Sequence, residues 1–236
     1  MKTISIKSAV FVLSLLLGAF VYAQDSETRN VESFEGVKVS SGVSAELVKG
    51  STNKVEITVE GIDIDKVTTE VKKGVLKVGV ETKWWNNWGG RKRSKIKAVI
   101  TYAQDLNGIA AGSGSSLTSE QTIESDDLDL DVSSGASMDL DIEVDDASID
   151  ISSGATLRLS GSAESTEIDL SSGSNINAYS FMTKRADIDG SSGSTAKIHV
   201  VDALVADVSS GASVKYKGNP SQRDIDKSSG GSVRQQ

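Results

Sequence analysis

Residues 149–159 read IDISSGATLRL, and related phrases return throughout the second half of the chain. The central glycines of these phrases recur at an interval that changes little from one phrase to the next. A period of about 19 residues is too short for a propeller blade or a helical repeat, and it fits one coil of a β-solenoid. These glycines are Gly114, Gly135, Gly154, Gly173, Gly193, Gly211 and Gly230.

Apolar and polar residues alternate within each phrase, which predicts strands with one buried face. In the quoted repeat, Ile151, Ser153 and Ala155 share the inward parity, and Asp150 and Arg158 share the outward one. Because one coil cannot bury its apolar side chains alone, we expect the coils to stack and to pair their strands. We therefore predict a tight bend at the glycine, with Ser153 and Ala155 on the inside.

The N-terminal residues are typical of a secretory signal peptide. Lys2 and Lys7 precede the apolar run 9–23, and Ala23 is followed by the polar Gln24. This run is shorter than the roughly 20 residues that a spanning helix needs. We therefore expect cleavage after Ala23 and an extracytoplasmic protein (periplasmic, on the outer surface or secreted) with no membrane span after cleavage.

Composition narrows the class of protein further. The chain has 236 residues, no cysteine and a formal net charge of −8. Without disulfides, packing alone must stabilise the fold. The chain lacks the excess of basic residues that is typical of proteins that bind nucleic acid, so we expect no nucleic-acid partner. Residues 126–150 carry ten acidic side chains and no basic one, so the negative charge is concentrated in the repeats.

The sequence divides into four segments. Residues 1–23 are the predicted signal peptide, and 24–30 form an N-terminal linker. Residues 31–105 contain strand-like runs and a weaker echo of the repeat, so they are predicted to form an N-terminal β cap, the first coils and a hairpin. A cap is expected because the open strand edges of a solenoid promote aggregation. Residues 106–233 are the predicted Ser-Ser-Gly repeat solenoid.

Three ordered motifs carry a resemblance to a known family. They are FEGVKVSSGVSAELVKG at 34–50, DIDKVTTEVKKGVLKVGVE at 63–81 and YKGNP at 216–220, combined with the Gly-Ser bends. Together they resemble the head GIN domain family, called putative auto-transporter adhesins. The resemblance implies an all-β, right-handed parallel β-helix that is secreted or surface-exposed, and it implies no established activity.

Alignment of the repeats on the bend glycine places an aspartate four residues before it in six successive coils. Stacking would bring these outward carboxylates into a row about 4.8 Å apart, where unpaired like charges disfavour the stack. Either serine hydroxyls and bend amides donate hydrogen bonds to them, which we favour, or the row binds cations or a carbohydrate. The six residues are Asp131, Asp150, Asp169, Asp189, Asp207 and Asp226.

All three tryptophans lie within five residues of one another, beside the densest basic cluster of the chain. Turn residues at the centre of this stretch predict a hairpin tip, here called the tryptophan hairpin. Its rings either cover the end of the solenoid or bind an extracellular glycan, an anionic polymer or a protein. We expect an anionic partner to bind at this hairpin because the acidic wall of the solenoid would repel it. The candidate binding residues are Trp84, Trp85, Trp88, Arg91 and Arg93.

Signatures of catalysis are weak. The single histidine, His199, has outward parity, and no Ser-His-Asp arrangement surrounds it. The acidic run 126–150 has no basic residue within it, unlike the sites of polysaccharide-cleaving β-helices. We therefore predict a non-enzymatic adhesin-like module with no catalytic residue, metal or cofactor. The alternatives are a carbohydrate-active β-helix enzyme (a lyase or a hydrolase) and a purely structural envelope protein.

Overall fold

The computed structural model describes residues 25–81 and 94–236. The predicted signal peptide and tryptophan hairpin lie outside the described residues. Within them, no helix is long and apolar enough to cross a membrane. The one 3-10 helix of the described part spans Ile64–Lys66. The strands are β1 (Asp25–Asn30), β2 (Gly36–Val39), β3 (Ser44–Lys49), β4 (Lys54–Glu60), β5 (Val67–Lys72), β6 (Val75–Val80), β7 (Lys95–Tyr102), β8 (Gly108–Ala111), β9 (Ser116–Ser119), β10 (Ile123–Val132), β11 (Ser137–Ile151), β12 (Thr156–Leu170), β13 (Asn175–Gly190), β14 (Thr195–Val208), β15 (Ser213–Lys217), β16 (Gln222–Lys227) and β17 (Ser232–Gln235).

The second half of the chain is a stack of parallel coils. Strands β10 to β14 pair in succession, and most residues lie beside their equivalents in the next coil, as Ile149 lies beside Ile168. The complete β-solenoid has about 7 turns, with equivalent strands about 19 residues apart. The predicted all-β solenoid and its coil length are therefore confirmed.

Each long strand contributes to two walls of the solenoid. In β11, buried and outward residues alternate up to Val144, after which Asp145 and Asp146 are both exposed. The alternation then resumes with Ala147 and Ile149 inside. The two successive outward residues mark the place where the strand turns from one wall to the next without leaving the sheet.

The Ser-Ser-Gly bends use two successive residues in the left-handed region. Ser153 has φ 54° and Gly154 has φ 71°, and the other bends repeat this pair. Glycine adopts such angles readily, whereas a non-glycine residue there costs roughly 1–2 kcal/mol. The left-handed pair interrupts the alternation, so Ala155 is buried but Ser153 is exposed. The predicted inward position of Ala155 is right, and that of Ser153 is wrong.

Serines that follow the bend glycine are buried, and their hydroxyls donate hydrogen bonds to backbone carbonyls of neighbouring coils. The Ser174 hydroxyl donates to the Ile151 carbonyl at 2.8 Å, and the Ser194 hydroxyl donates to the Leu170 carbonyl at 3.3 Å. The backbone ladder also continues through the bends, where the Gly154 amide donates to the Ser172 carbonyl at 3.1 Å. The bends are therefore part of the stack.

The two ends of the solenoid differ. At the N-terminal end, β6 and β7 pair in parallel with β2 and β3. Beyond them the pairing is antiparallel, with β5 on β6, β4 on β7 and β1 on β4. At the other end, β16 and β17 pair with β14 and β15 and are the last described strands. Charged residues such as Arg223, Asp224 and Lys227 suit such an exposed edge.

The interval between bend glycines lengthens slightly before Gly193 and shortens after it, and this change corresponds to an irregularity in the ladder. Ala178 pairs with Ile198, but the next pair is Met182 with His199, so residues 179–181 bulge away from β14. Such a bulge redirects side chains locally. Phe181 is buried within it, whereas the half-buried Tyr179 has an enclosed hydroxyl without a hydrogen-bond partner among the described residues.

Candidate functional site

The structure brings the six predicted aspartates into a single outward line, here called the Asp row. Each is the direct register partner of the next, through five successive strand pairings. The spacing of neighbouring strands therefore separates them by about 4.8 Å. The row consists of Asp131, Asp150, Asp169, Asp189, Asp207 and Asp226.

A second line of acidic residues runs beside the Asp row on the same wall. It lies two residues earlier in each coil, and Ser148 and Val205 occupy its two uncharged positions. Its acidic members are Asp129, Glu167, Asp187 and Asp224. The two lines together form a surface that we call the acidic face.

A shallow groove follows the Asp row. Its volume is about 580 Å³, and five of the six row carboxylates line it together with serines of the bends. These serines are Ser152, Ser171, Ser191 and Ser209. The groove is thus lined by repeated hydroxyl and carboxylate groups.

The favoured hydrogen-bonded scaffold does not form around these carboxylates. The side-chain hydrogen bonds of the described residues include none to the Asp row; the Ser160 hydroxyl, for example, donates to Asp141 at 2.7 Å, outside it. The bend amides are engaged elsewhere, as the Ser152 amide donates to the Val132 carbonyl at 3.0 Å. The described part of the chain also contains no cluster of three or more side chains placed to hold a metal ion.

Beyond Asp131, the register of the wall leads to positive charge. Asp131 lies beside Ala110, which lies beside Lys38, and Lys38 lies beside Lys77. In the middle of the row the electrostatics are different. Partial burial, together with the carboxylates of its neighbours in the acidic face, raises the pKa of Asp189. The charged form of Asp189, at the centre of the row, is therefore disfavoured.

We expect Asp189→Asn to stabilise the protein at pH 7. Asp189 lies between Asp169 and Asp207 in the register, so the substitution removes two close like-charge contacts. Because these carboxylates are exposed and screened by water, the gain is on the order of 0.5 kcal/mol in the free energy of unfolding. This corresponds to an increase of roughly 1–2 °C in the melting temperature, measurable by circular dichroism.

The pH dependence of this gain follows from the sign of the pKa shift. Because the folded pKa of Asp189 lies above the unfolded value, the folded state binds more protons between the two, and its stability falls as the pH rises through that window. The advantage of Asp189→Asn should therefore disappear below about pH 4. Asp202→Asn, an exposed substitution outside the row, is the control. Equal melting temperatures for the two variants at pH 7 would argue against repulsion in the row.

The wall that follows each bend carries the opposite charge in the C-terminal coils. Four residues after the bend glycine, the register runs from Arg158 through Asn177, Lys197 and Lys215 to Arg234. Two positions further along, Lys217 lies beside His199. The cations Arg158, Lys197, Lys215, Lys217 and Arg234 define a surface that we call the basic face.

No counterion within the described residues neutralises the basic face. Six ion pairs form among those residues, and none involves a cation of this face. The Lys217 ammonium lies 4.4 Å from the centroid of the Tyr179 ring, which holds it against the wall. At the boundary of the basic face, the equivalent position in the coil before Arg158 is occupied by the acidic residue Asp139.

The basic face corrects the expectation that the whole solenoid wall repels anions. It escaped prediction from the sequence because no coil supplies more than two of its cations, the coil of Asn177 supplies none, and no local basic cluster marks them. The signal lies in the residues four positions after each bend glycine, just as the aspartates lie four positions before it. His199 lies half-buried on this face, and the predicted binding residues Trp84, Trp85, Trp88, Arg91 and Arg93 lie outside the described residues.

Comparison with solved structures identifies the same fold in several bacterial proteins. A "putative adhesin" from Bacteroides fragilis superimposes with a TM-score of 0.82 at 16% identity, over 91% of this chain and 97% of that chain. A "putative adhesin" from Parabacteroides distasonis has a TM-score of 0.70 and 21% identity, over 91% of this chain and 97% of that one. A "putative lipid binding protein" from the same species has a TM-score of 0.66 and 15% identity, over 90% and 96% of the two chains.

Sequence comparisons assign the family. A search of curated proteins gives no match. Residues 33–220 match the family described as "Putative auto-transporter adhesin, head GIN domain". This match contains β2 to β15 and leaves out β1, β16 and β17. The chain therefore belongs to the head GIN domain family.

Proposed function

We propose that this protein is a non-enzymatic, adhesin-like interaction module that works outside the cytoplasm, in the periplasm, on the outer surface or after secretion. Its family of adhesins implies a binding partner and a location in the cell envelope or at the surface. The observation that carries the proposal is the repetition of outward charged and polar side chains along a rigid stack. Because outward side chains of the same type recur at the same spacing from coil to coil, they suit repeated contacts with a polymeric or extended partner.

The acidic face is less suited to catalysis than to such contacts. Glycoside hydrolysis uses two carboxylates whose surroundings give them different protonation states. The members of the Asp row occupy equivalent positions in successive coils, and the raised pKa of Asp189 follows from partial burial and from the like charges beside it. A carbohydrate-active enzyme that works in the acidic groove is the alternative, and a structural envelope protein is the third candidate.

The tryptophan hairpin remains our candidate for the tightest contact of this module. Its three tryptophans and neighbouring arginines belong to the residue types that dominate binding energy at interfaces. Its basic cluster suits an anionic partner. This assignment rests on the sequence, and we propose it for an extracellular glycan, an anionic polymer or a protein.

Combined substitution of Trp85→Ala, Arg91→Ala and Arg93→Ala tests the hairpin. We expect retention of the immobilised protein's partner from a cell-envelope extract to fall by at least about tenfold, because two or more hot-spot residues are lost. The far-ultraviolet spectrum and the melting temperature should remain close to those of the wild type. Retained material is identified by mass spectrometry and sugar analysis.

Two outcomes would overturn this assignment. A variant that is destabilised throughout would mean that the rings cover the end of the solenoid. A variant that is stable and retains the same material as the wild type would mean that another surface carries the binding. A wild-type protein that retains nothing from the envelope extract would contradict the proposed function itself.

A further inference from the structure

We infer that the basic face binds acidic polysaccharide, through residues other than those of the tryptophan hairpin. This inference rests on the proposed function and names a partner class for it. The basic face lies on the wall after the bend, whereas the acidic face lies on the wall before it. A protein with a net charge of −8 thus presents a group of cations on one wall, three of them in successive coils.

The arrangement of the cations favours a linear polyanion. Lys197, Lys215 and Arg234 are direct register partners in three successive coils, so their backbones are about 4.8 Å apart. Like charges at this distance repel one another. A chain with regularly repeated negative charges that lies along the stack would relieve that repulsion at each coil, which a small anion cannot do.

The cations are also held in place on the wall. Lys197 and Lys215 are half-buried, so their aliphatic stems pack against neighbouring side chains while the charges remain accessible. Lys217 is held over the ring of Tyr179. Side chains that are already ordered lose less conformational entropy when they bind. The surface is therefore partly preorganised for an anionic partner.

The neighbouring column favours a sugar polymer over other polyanions. Two residues closer to the bend, the outward side chains are hydroxyls and one amide, which donate to and accept from sugar hydroxyls. They are Thr156, Asn175, Thr195, Ser213 and Ser232. Single-stranded nucleic acid usually requires aromatic rings on which the bases stack. Among the described residues of this face, the ring of Tyr179 is covered by Lys217 and the ring of His199 is half-buried.

Alginate, a polymer of uronic acids, is a suitable probe because each sugar carries a carboxylate. The test variant combines Lys197→Gln, Lys215→Gln and Arg234→Gln. The control variant combines Lys38→Gln, Lys77→Gln and Lys97→Gln, three exposed cations elsewhere that give the same change in net charge. Binding of fluorescent alginate is titrated at low ionic strength with the tryptophan hairpin intact, and circular dichroism checks that both variants are folded.

We expect the test variant to bind alginate about tenfold more weakly than the wild type, and the control variant to remain within about twofold. Wild-type binding should weaken as salt is added, and neutral dextran should not bind. Equal losses in both variants would mean a net-charge effect and would overturn the inference. So would stronger binding of double-stranded DNA or of anionic lipid vesicles through the same three residues.

The outcomes also separate this inference from the proposed function. A wild-type protein that does not bind alginate but retains envelope material through the tryptophan hairpin would overturn only the inference. Unchanged alginate binding by the test variant would do the same. Failure of the wild type in both assays would contradict the proposed function as well.

Discussion

Gly161→Ala should cost about 3 kcal/mol or more in the free energy of unfolding, far more than alanine usually costs at a solvent-facing position. Gly161 has φ +103°, and a β-carbon there would overlap the backbone carbonyl oxygen of Ile142 in the preceding coil. Neither strand can move away without breaking the ladder that joins β11 to β12. We therefore expect the melting temperature to fall by roughly 6–12 °C.

Gly154→Ala is the matched control for this substitution. Gly154 also has a left-handed φ, but no atom lies within 4 Å of the position that its β-carbon would occupy. Only the conformational cost remains, which is about 1 kcal/mol. Thermal unfolding followed by circular dichroism compares the two. If both variants lose the same stability, the close stacking of the coils at Gly161 is wrong.

Leu157→Ala should destabilise the protein by about 2–5 kcal/mol because it leaves a cavity in the middle of the stack. Leu157 is 0% exposed and lies between Met138 and Ile176 in the register of the interior. The melting temperature should fall by roughly 4–20 °C. Arg158→Ala, one residue along but outward, is expected to change the stability by less than about 0.5 kcal/mol. Similar losses for both variants would contradict the assigned inward face.

The architecture could be predicted because the features that determine it are present within each short repeat. Regularly spaced glycines and a period of two determine the coil, the stacking and the inward position of Ala155. The same alignment predicted the Asp row, since residues at equal distance from equivalent bends must fall into one line. The prediction that Ser153 points inward was wrong because a period-two pattern does not anticipate two successive residues with left-handed backbone angles.

The positive charge of the basic face was harder to predict. The cations of the basic face are dispersed, because a whole coil of sequence separates Lys197 from Lys215 and another separates Lys215 from Arg234. Stacking brings them together, whereas a local charge count does not. The expected hydrogen bonds to the Asp row failed for a related reason: the bend amides that were expected to donate to carboxylates instead continue the ladder between coils.

We predict a protein that binds its partner and leaves it unchanged, and the chemical integrity of a bound polysaccharide tests this most directly. The protein is incubated with alginate and with a panel of neutral and acidic polysaccharides, and reducing and unsaturated chain ends are measured over time. We predict saturable retention of an acidic polymer with no increase in either kind of chain end. New ends that accumulate in proportion to the protein, and that disappear in Asp169→Asn or Asp189→Asn, would contradict the account and assign the acidic groove to an enzyme.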